Sequence, residues 1–135
     1  MEIISAIKEL NFLAIFTALI VHFLIGILWY SPLLFGKKWK EYRQTDEQPG
    51  NKMLLVGITA HVIHIFVLAV IIKLINASVP ADGIVIGILL SIGFIGMTLV
   101  NEFFYSKMNF RLFLIKIGDE IISICASALI LVLWK

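Results

Sequence analysis

The sequence predicts an all-α integral membrane protein, built as a four-transmembrane-helix bundle. Three observations carry this. The chain of 135 residues is 61% hydrophobic and only 15% charged, with a mean hydropathy of +1.03. A soluble domain is about 45–50% apolar and about 25% charged. The apolar residues fall into four continuous runs, each near the ~20 residues that cross a hydrocarbon core of about 30 Å. The residues between the runs are turn and cap formers. The composition also argues against other classes. Disorder needs low hydrophobicity and high charge. A net charge of +2 with no dense cationic stripe argues against a nucleic-acid partner. A single cysteine, Cys125, rules out a disulfide scaffold. The lipid bilayer is the partner this composition fits.

Residues 1–135 read as one domain. Met1 to Glu9 lacks the basic head and cleavage site of a signal peptide, and reads as an amphipathic lead-in at the interface. The first span is expected from about Leu10 to Leu34, because Ser31-Pro32 disfavours further helix. Phe35 to Lys40 then reads as an interfacial turn with aromatics and lysines at headgroup depth. The first link, about residues 35–52, is the one sizeable loop. In it Pro49-Gly50 marks a turn and Asn51 is the expected N-cap of the second span. That span runs from about Met53 to Ile75. Asn76 to Pro80 makes a tight link, and Asp82 suits the first turn of the third helix. The third span runs from about Ile84 to Tyr105, and Lys107 to Arg111 is a short last link. The fourth span runs from about Leu112 to Trp134.

Charge sets the expected orientation. The first and third links hold Lys37, Lys38, Lys40, Arg43, Lys52, Lys107 and Arg111, seven cations; the other side holds Lys8, Lys73 and Lys135, three. The positive-inside bias places the first and third links in the cytoplasm and both termini outside. A weak internal repeat accompanies this. Tyr30-Ser31 with Phe35 recurs as Tyr105-Ser106 with Phe110, at an offset of 75 residues. It is compatible either with two repeated helical hairpins or with chance in so aromatic a chain.

The string Gly26-Ile27-Leu28-Trp29-Tyr30-Ser31-Pro32-Leu33-Leu34-Phe35-Gly36-Lys37-Lys38-Trp39 carries a family resemblance. It resembles the signature of the bacterial family catalogued as domain of unknown function family 1761: a Trp-Tyr-Ser-Pro block and a Phe-Gly-Lys-x-Trp block after the first span. Asn101, Asp119 and Trp134 resemble the family more loosely. The resemblance covers most of the chain and implies a small four-span membrane protein. It brings no activity. The histidines, Glu102 and Glu120 are not motif positions that it carries over.

Ionisable residues inside a membrane are costly and mark candidate sites. His22, His61 and His64 all fall within spans, as do Glu102, Asp119 and Glu120, with Asn101 beside Glu102. His22 lies roughly 12 Å from Tyr30 at about 1.5 Å per residue, and His61 about 13 Å from Lys52. Ala18, His22 and Gly26 share one helix face, as do Gly57, His61, His64 and Leu68. Gly83, Gly87 and Ser91 form a small-residue ridge suited to helix packing, continuing towards Thr98 and Glu102. Lys116, Glu120, Ser123 and Ser127 line a stripe on the last helix, with Asp119 beside it. With these faces inward, His22, His61, His64, Glu102, Asp119 and Glu120 are expected round one internal site.

A plainer reading stands beside each. Interhelical polar groups often act as hydrogen-bond glue worth about 0.6 kcal/mol. Trp29, Tyr30, Trp39 and Trp134 read as interfacial anchors, Lys116 as a snorkelling cation or a partner of Glu120, and Cys125 as a small packing residue. Two adjacent carboxyls at mid-depth resist that reading, since uncharged groups would bond at lower desolvation cost. Three functions stay open. The first is a transporter or channel for a proton, cation or small polar solute, which four helices would serve as a homo-oligomer. The second is a metal-binding membrane enzyme or carrier, with a divalent ion on His61, His64 and His22 or the carboxylates. The third is a structural or accessory subunit. Catalysis is the least supported, since no H-E-x-x-H pair, phosphate-cradling loop or assignable triad is present.

Overall fold

The computed structural model describes residues 2–43 and 50–134. Among the described residues every regular element is a helix, and the helix boundaries have local causes. Helix α1 (Ile3–Lys8) is the lead-in; it buries Ala6 and packs on α4 (Asn51–Leu74). An exposed Glu9–Lys73 ion pair of 3.3 Å lies at the same end. Helix α2 (Phe12–Trp29) starts where the Asn11 side chain accepts from the N–H groups of Leu13 and Ala14. It stops five residues before the expected end. The Ser31 hydroxyl donates to Leu28 O at 2.7 Å, and Pro32 follows.

The chain then doubles back. Phe35 N–H donates to Trp29 O and Gly36 N–H to Ser31 O. A Cβ at position 36 would stand 2.7 Å from Ser31 O and still nearer Tyr30 O, so only glycine fits this approach. The expected interfacial turn over 35–40 is instead a short helix, α3 (Gly36–Arg43). Its i,i+4 pair stacks, with the Arg43 guanidinium 4.5 Å from the Trp39 ring centre. Most of the expected loop, including Pro49, lies outside the described residues. Gly50, not Asn51, occupies the N-cap of α4, and Asn51 is its first helical residue.

Helix α4 ends at Asn76 in the left-handed region, φ 53°, with Ala77 N–H donating to Ile72 O, a Schellman-type stop. Helix α5 (Pro80–Leu90) follows. The Asp82 carboxylate accepts from the N–H groups of Ser78 and Val79 at 2.8 and 3.2 Å. A π-helical segment, Ser91–Gly96, joins α5 to α6 (Met97–Tyr105). Lys107, φ 52°, repeats the left-handed stop, with Met108 N–H on Phe103 O. Asn109 then caps α7 (Phe110–Leu133) through Arg111 N–H at 2.8 Å. The two copies of the sequence repeat therefore continue differently, Phe35 into a short separate helix and Phe110 directly into α7.

Three helical runs are long and apolar enough to cross a membrane: Phe12–Trp29, Asn51–Leu74 and the composite Pro80–Tyr105. Their outward faces are apolar, with Phe94 and Ile27 at 72% and 70% exposed. Such surface is tolerable against lipid and not against water. The packing is not a symmetric square. Helix α7 is the hub, held most extensively by α5 on one side and α2 on the other. Small residues make the approach possible. Ala14 and Ala18 of α2 are buried, as are Ser127 and Ala128 of α7. A Cβ on Gly83 would stand 3.2 Å from the Ala128 backbone, and one on Gly87 only 2.7 Å from Cys125 Cα. Ser91, fully buried, continues that ridge and returns its hydroxyl to Gly87 O at 2.6 Å. Helix α4 packs by its second half, through Ile65, Leu68, Ala69 and Ile72. In its first ten residues every side chain is exposed and only Gly57 is half-buried.

This contrast gives a test. Gly87→Ala should cost ~1–3 kcal/mol, because the methyl meets α7 backbone that cannot give way. Gly57→Ala, where nothing lies within 4 Å, should be neutral or stabilising by up to about 1 kcal/mol through helix propensity. Reversible unfolding of the detergent-solubilised protein reads both; equal effects would remove the α5–α7 contact as the tight one.

Candidate functional site

The polar groups of three helices meet at one half-open cleft of ≈ 280 Å³ lined by α2, α4 and α7. His22 sits at its inner end on α2, 5% exposed. His22 Nε2 and His61 Nδ1 are 3.0 Å apart, so one donates and the other accepts. The ring centres stand 4.6 Å apart, and Phe23 sets its edge against both imidazoles. His22 Nδ1 is buried and has no hydrogen-bond partner.

Asp119 of α7 forms the opposite wall. It accepts from the Ser123 hydroxyl at 3.1 Å, and Tyr30 lines the same cleft. It also lies within electrostatic reach of His61. The cleft thus runs from His22 through His61 and Asp119 to Tyr30, at the end of the bundle that carries α3. Helix periodicity explains the convergence. The four-residue step that puts Ala18, His22 and Gly26 on one face lands next on Tyr30, and the same step joins Asp119 to Ser123.

The remaining expected site residues go elsewhere. His64 is half-buried one turn beyond His61, close enough to His22 and His61 to feel their charge, and does not line the cleft. Asn101 and Glu102 are exposed on α6, against the expectation of an internal position. The π segment supplies the reason. Ser91 and Glu102 are eleven residues apart, about three α-helical turns, which would align them. A π turn absorbs roughly one extra residue, so α6 lags by about 100°. Glu102 meets Lys116 instead, at 3.1 Å. Lys116 therefore pairs with Glu102 in place of the expected Glu120, and Glu120 Oε2 is buried without a hydrogen-bond partner.

The metal set His22, His61 and His64 is not assembled. Among the described residues no three His, Cys, Asp or Glu side chains are grouped to hold a metal ion. The facing nitrogens of His22 and His61 are occupied by each other. Of the aromatic residues read as anchors, Trp29 is directed into the bundle. Its indole N–H donates to Ile115 O at 3.0 Å, and its ring lies 2.9 Å from where a Gly118 Cβ would be. Tyr30 lines the cleft with Asp119 while its ring meets Trp39 edge-on at 5.5 Å. Trp134 is 43% exposed, and its carbonyl accepts from Asn11 Nδ2 at 3.4 Å. The inward turn of Trp29 had one sequence signal: it stands seven residues, two turns, beyond His22 on the same face.

A family model described as a protein of unknown function, DUF1761, matches residues 13–132. That span holds every residue of the cleft. No curated protein and no solved structure matches the chain.

The imidazole pair is testable by a double-mutant cycle. His22→Phe and His61→Leu should each destabilise by ~1–3 kcal/mol, each leaving a polar nitrogen unpaired. The double variant should cost less than the sum by about 0.5–1.5 kcal/mol. Additive losses in equilibrium unfolding would show that the two rings do not bond.

Proposed function

The chain belongs to this family of unknown function, and from that premise we propose a four-span membrane protein in which His22, His61, Asp119 and Tyr30 form a proton relay. The observation that carries the reading is the 3.0 Å imidazole–imidazole hydrogen bond beside a carboxylate in a half-open cleft. Such a pair passes a proton by exchange: one ring accepts at a free nitrogen and releases the hydrogen it shares with its neighbour. Asp119 supplies a carboxylate within electrostatic reach of His61, and Tyr30 a hydroxyl that can accept and donate in turn.

Helix α7 is the fourth span in this reading. Its 24 residues reach about 36 Å, enough to cross. It packs beside α2 at Trp29 and beside α5 at Gly83 and Gly87, so it shares their depth. Asp119 and Glu120 are half-buried within the bundle, and Lys116 is paired with Glu102. The outer half of the bundle is sealed by Ala14, Ala18, Ile65, Leu68, Ile124 and Ala128. The relay is thus reached from the end bearing α3 and closed at the other. Onward transfer requires the contact of α4 with α2 and α7 to open, and that contact is sparing beside those of α7 with α2 and α5. The orientation we propose places α3 and Lys107 in the cytoplasm, with both termini outside.

Two measurements check this reading. In liposomes under a potassium-diffusion potential, wild-type protein should carry a proton flux. His61→Leu and Asp119→Asn should lower it by at least about tenfold, the scale on which loss of one proton-transfer group acts. A wild-type rate equal to that of empty liposomes would overturn the relay and favour an accessory subunit. For orientation, Lys38→Cys and Ser78→Cys, each in a Cys125→Ala background, should differ on intact cells. An impermeant thiol reagent should label position 78 and leave position 38 unlabelled until lysis; the reverse would invert the topology.

A further inference from the structure

A second cavity, of ≈ 770 Å³, opens at the α3 end of the bundle between α3, α4, α6 and α7. It is larger than the histidine cleft and shares no residue with it. Among the described residues three cations line it, Arg43, Lys107 and Lys116, with one carboxylate, Glu102. The Lys116–Glu102 pair of 3.1 Å cancels itself, and Arg43 and Lys107 are the described cations beside that pair. Neighbouring structure fixes the guanidinium of Arg43 and the backbone of Lys107. The Arg43 guanidinium lies 4.5 Å over the Trp39 ring, which fixes the plane of its donors. Lys107 occupies the left-handed turn between α6 and α7. Met53 and Leu112 add apolar walls at the first turns of α4 and α7.

We infer that this cavity holds the phosphate of an anionic lipid headgroup, with Arg43 and Lys107 on the phosphate and Met53 and Leu112 against the start of the acyl chains. The volume lies in the range of small-molecule sites, about 300–1,000 Å³. Paired cations with a planar guanidinium match phosphate oxygens. The apolar wall separates a lipid from a free phosphate. A soluble ion gains nothing from Met53, which is 65% exposed on the first turn of a membrane-crossing helix, whereas an acyl chain covers it. A basic pocket between spans at headgroup depth is the setting in which anionic headgroups bind. Helix α3 also carries Lys37, Lys38 and Lys40 against the single acid Glu41. On the far side of α3, Arg111 donates to the Tyr42 hydroxyl at 3.3 Å. Tyr42 lines both this cavity and a smaller one of ≈ 440 Å³ that Arg111 lines, and so forms the wall between them.

The test is native mass spectrometry of the full chain in detergent. The probes are phosphatidylglycerol, phosphatidylcholine and inorganic phosphate, each offered separately at equal concentration. Wild type should retain phosphatidylglycerol over phosphatidylcholine. Arg43→Gln and Lys107→Gln should each reduce that preference about fivefold, the equivalent of ~1 kcal/mol per basic residue at a membrane surface. Lys73→Gln, at the opposite end, should leave it unchanged. Thermal melting of each variant separates loss of lipid from loss of fold, and Lys107→Gln stands alone if Arg43→Gln unfolds. Equal retention of the two lipids would overturn the inference, as would a preference that survives both substitutions or falls equally in Lys73→Gln. A bound phosphate adduct without any lipid would overturn it too. A failed proton flux would leave it intact, because the cavity is separate from the relay.

Discussion

Helix α7 carries Lys116, Asp119 and Glu120, all half-buried, between helices whose long runs are mostly apolar. Enclosing those groups is the constraint that shapes the fold. Charge cannot face hydrocarbon cheaply, so in the four-span reading we propose, α7 is covered by α5 on one side and α2 on the other. The cover has to be close, because helices inside a membrane gain little from apolar burial alone and associate through van der Waals contact and hydrogen bonds. Glycine, alanine and serine at the contacts supply that closeness. Gly83 and Gly87 admit α5 to the backbone of Cys125 and Ala128. Ala18 and Ser127, both fully buried, let α2 approach from the other side. At the opposite end Gly118 leaves room for Trp29, whose indole then bonds the Ile115 carbonyl.

The same constraint accounts for how the polar groups are shared out. Lys116 is covered by Glu102 at the rim, where both remain part-exposed. Asp119 is bonded by Ser123 and lines the cleft with His61 and Tyr30. The charges of α7 toward the α3 end therefore stand near polar groups from other elements. Arg111 bonds Tyr42, Lys116 bonds Glu102, and Asp119 shares its cleft with His61 and Tyr30. Glu120 departs from the pattern, with one carboxyl oxygen buried and unbonded. An unmade hydrogen bond of this kind costs about 1–3 kcal/mol. That cost sits beside the cleft, at the position where the fold gives most ground to polarity.

Much of this architecture was legible in the sequence, and for physical reasons. Long apolar runs bounded by Ser31-Pro32, by Asn76 to Pro80 with Asp82, and by Lys107 to Arg111 locate helices, because caps and breakers act within a few residues of the boundary they set, whereas the caps Asn11 and Asn109 emerge only with the structure. Small residues at four-residue spacing pointed to the α5 face that meets α7. The imidazoles and Asp119 could be placed at similar depth by counting residues. What could not be read depends on interactions between segments. Periodicity assumes an unbroken α-helix, so the π segment at Ser91–Gly96 was invisible and Glu102 was assigned to the wrong side. Trp29 and Tyr30 look like interfacial aromatics until α7 is known to pass beside them. Helix α3 is too short and too polar for hydropathy to register, yet Gly36 and the Trp39–Arg43 stack make it a helix.

The sparing attachment of α4 joins these threads. Its second half is held by Ile65, Leu68, Ala69 and Ile72, while its first half presents exposed side chains on every face. His61 stands near the boundary between the two halves and bonds across to α2. Local opening follows low contact density, so motion of α4 is expected to begin at its first half and reach His61 before the packed second half. The interhelical bond of His61 is therefore coupled to the position of the least constrained long helix in the molecule. Met53, on the same free half of α4, lines the cavity at the α3 end. Among the described residues the two cavities share no side chain, but α4 and α7 line both.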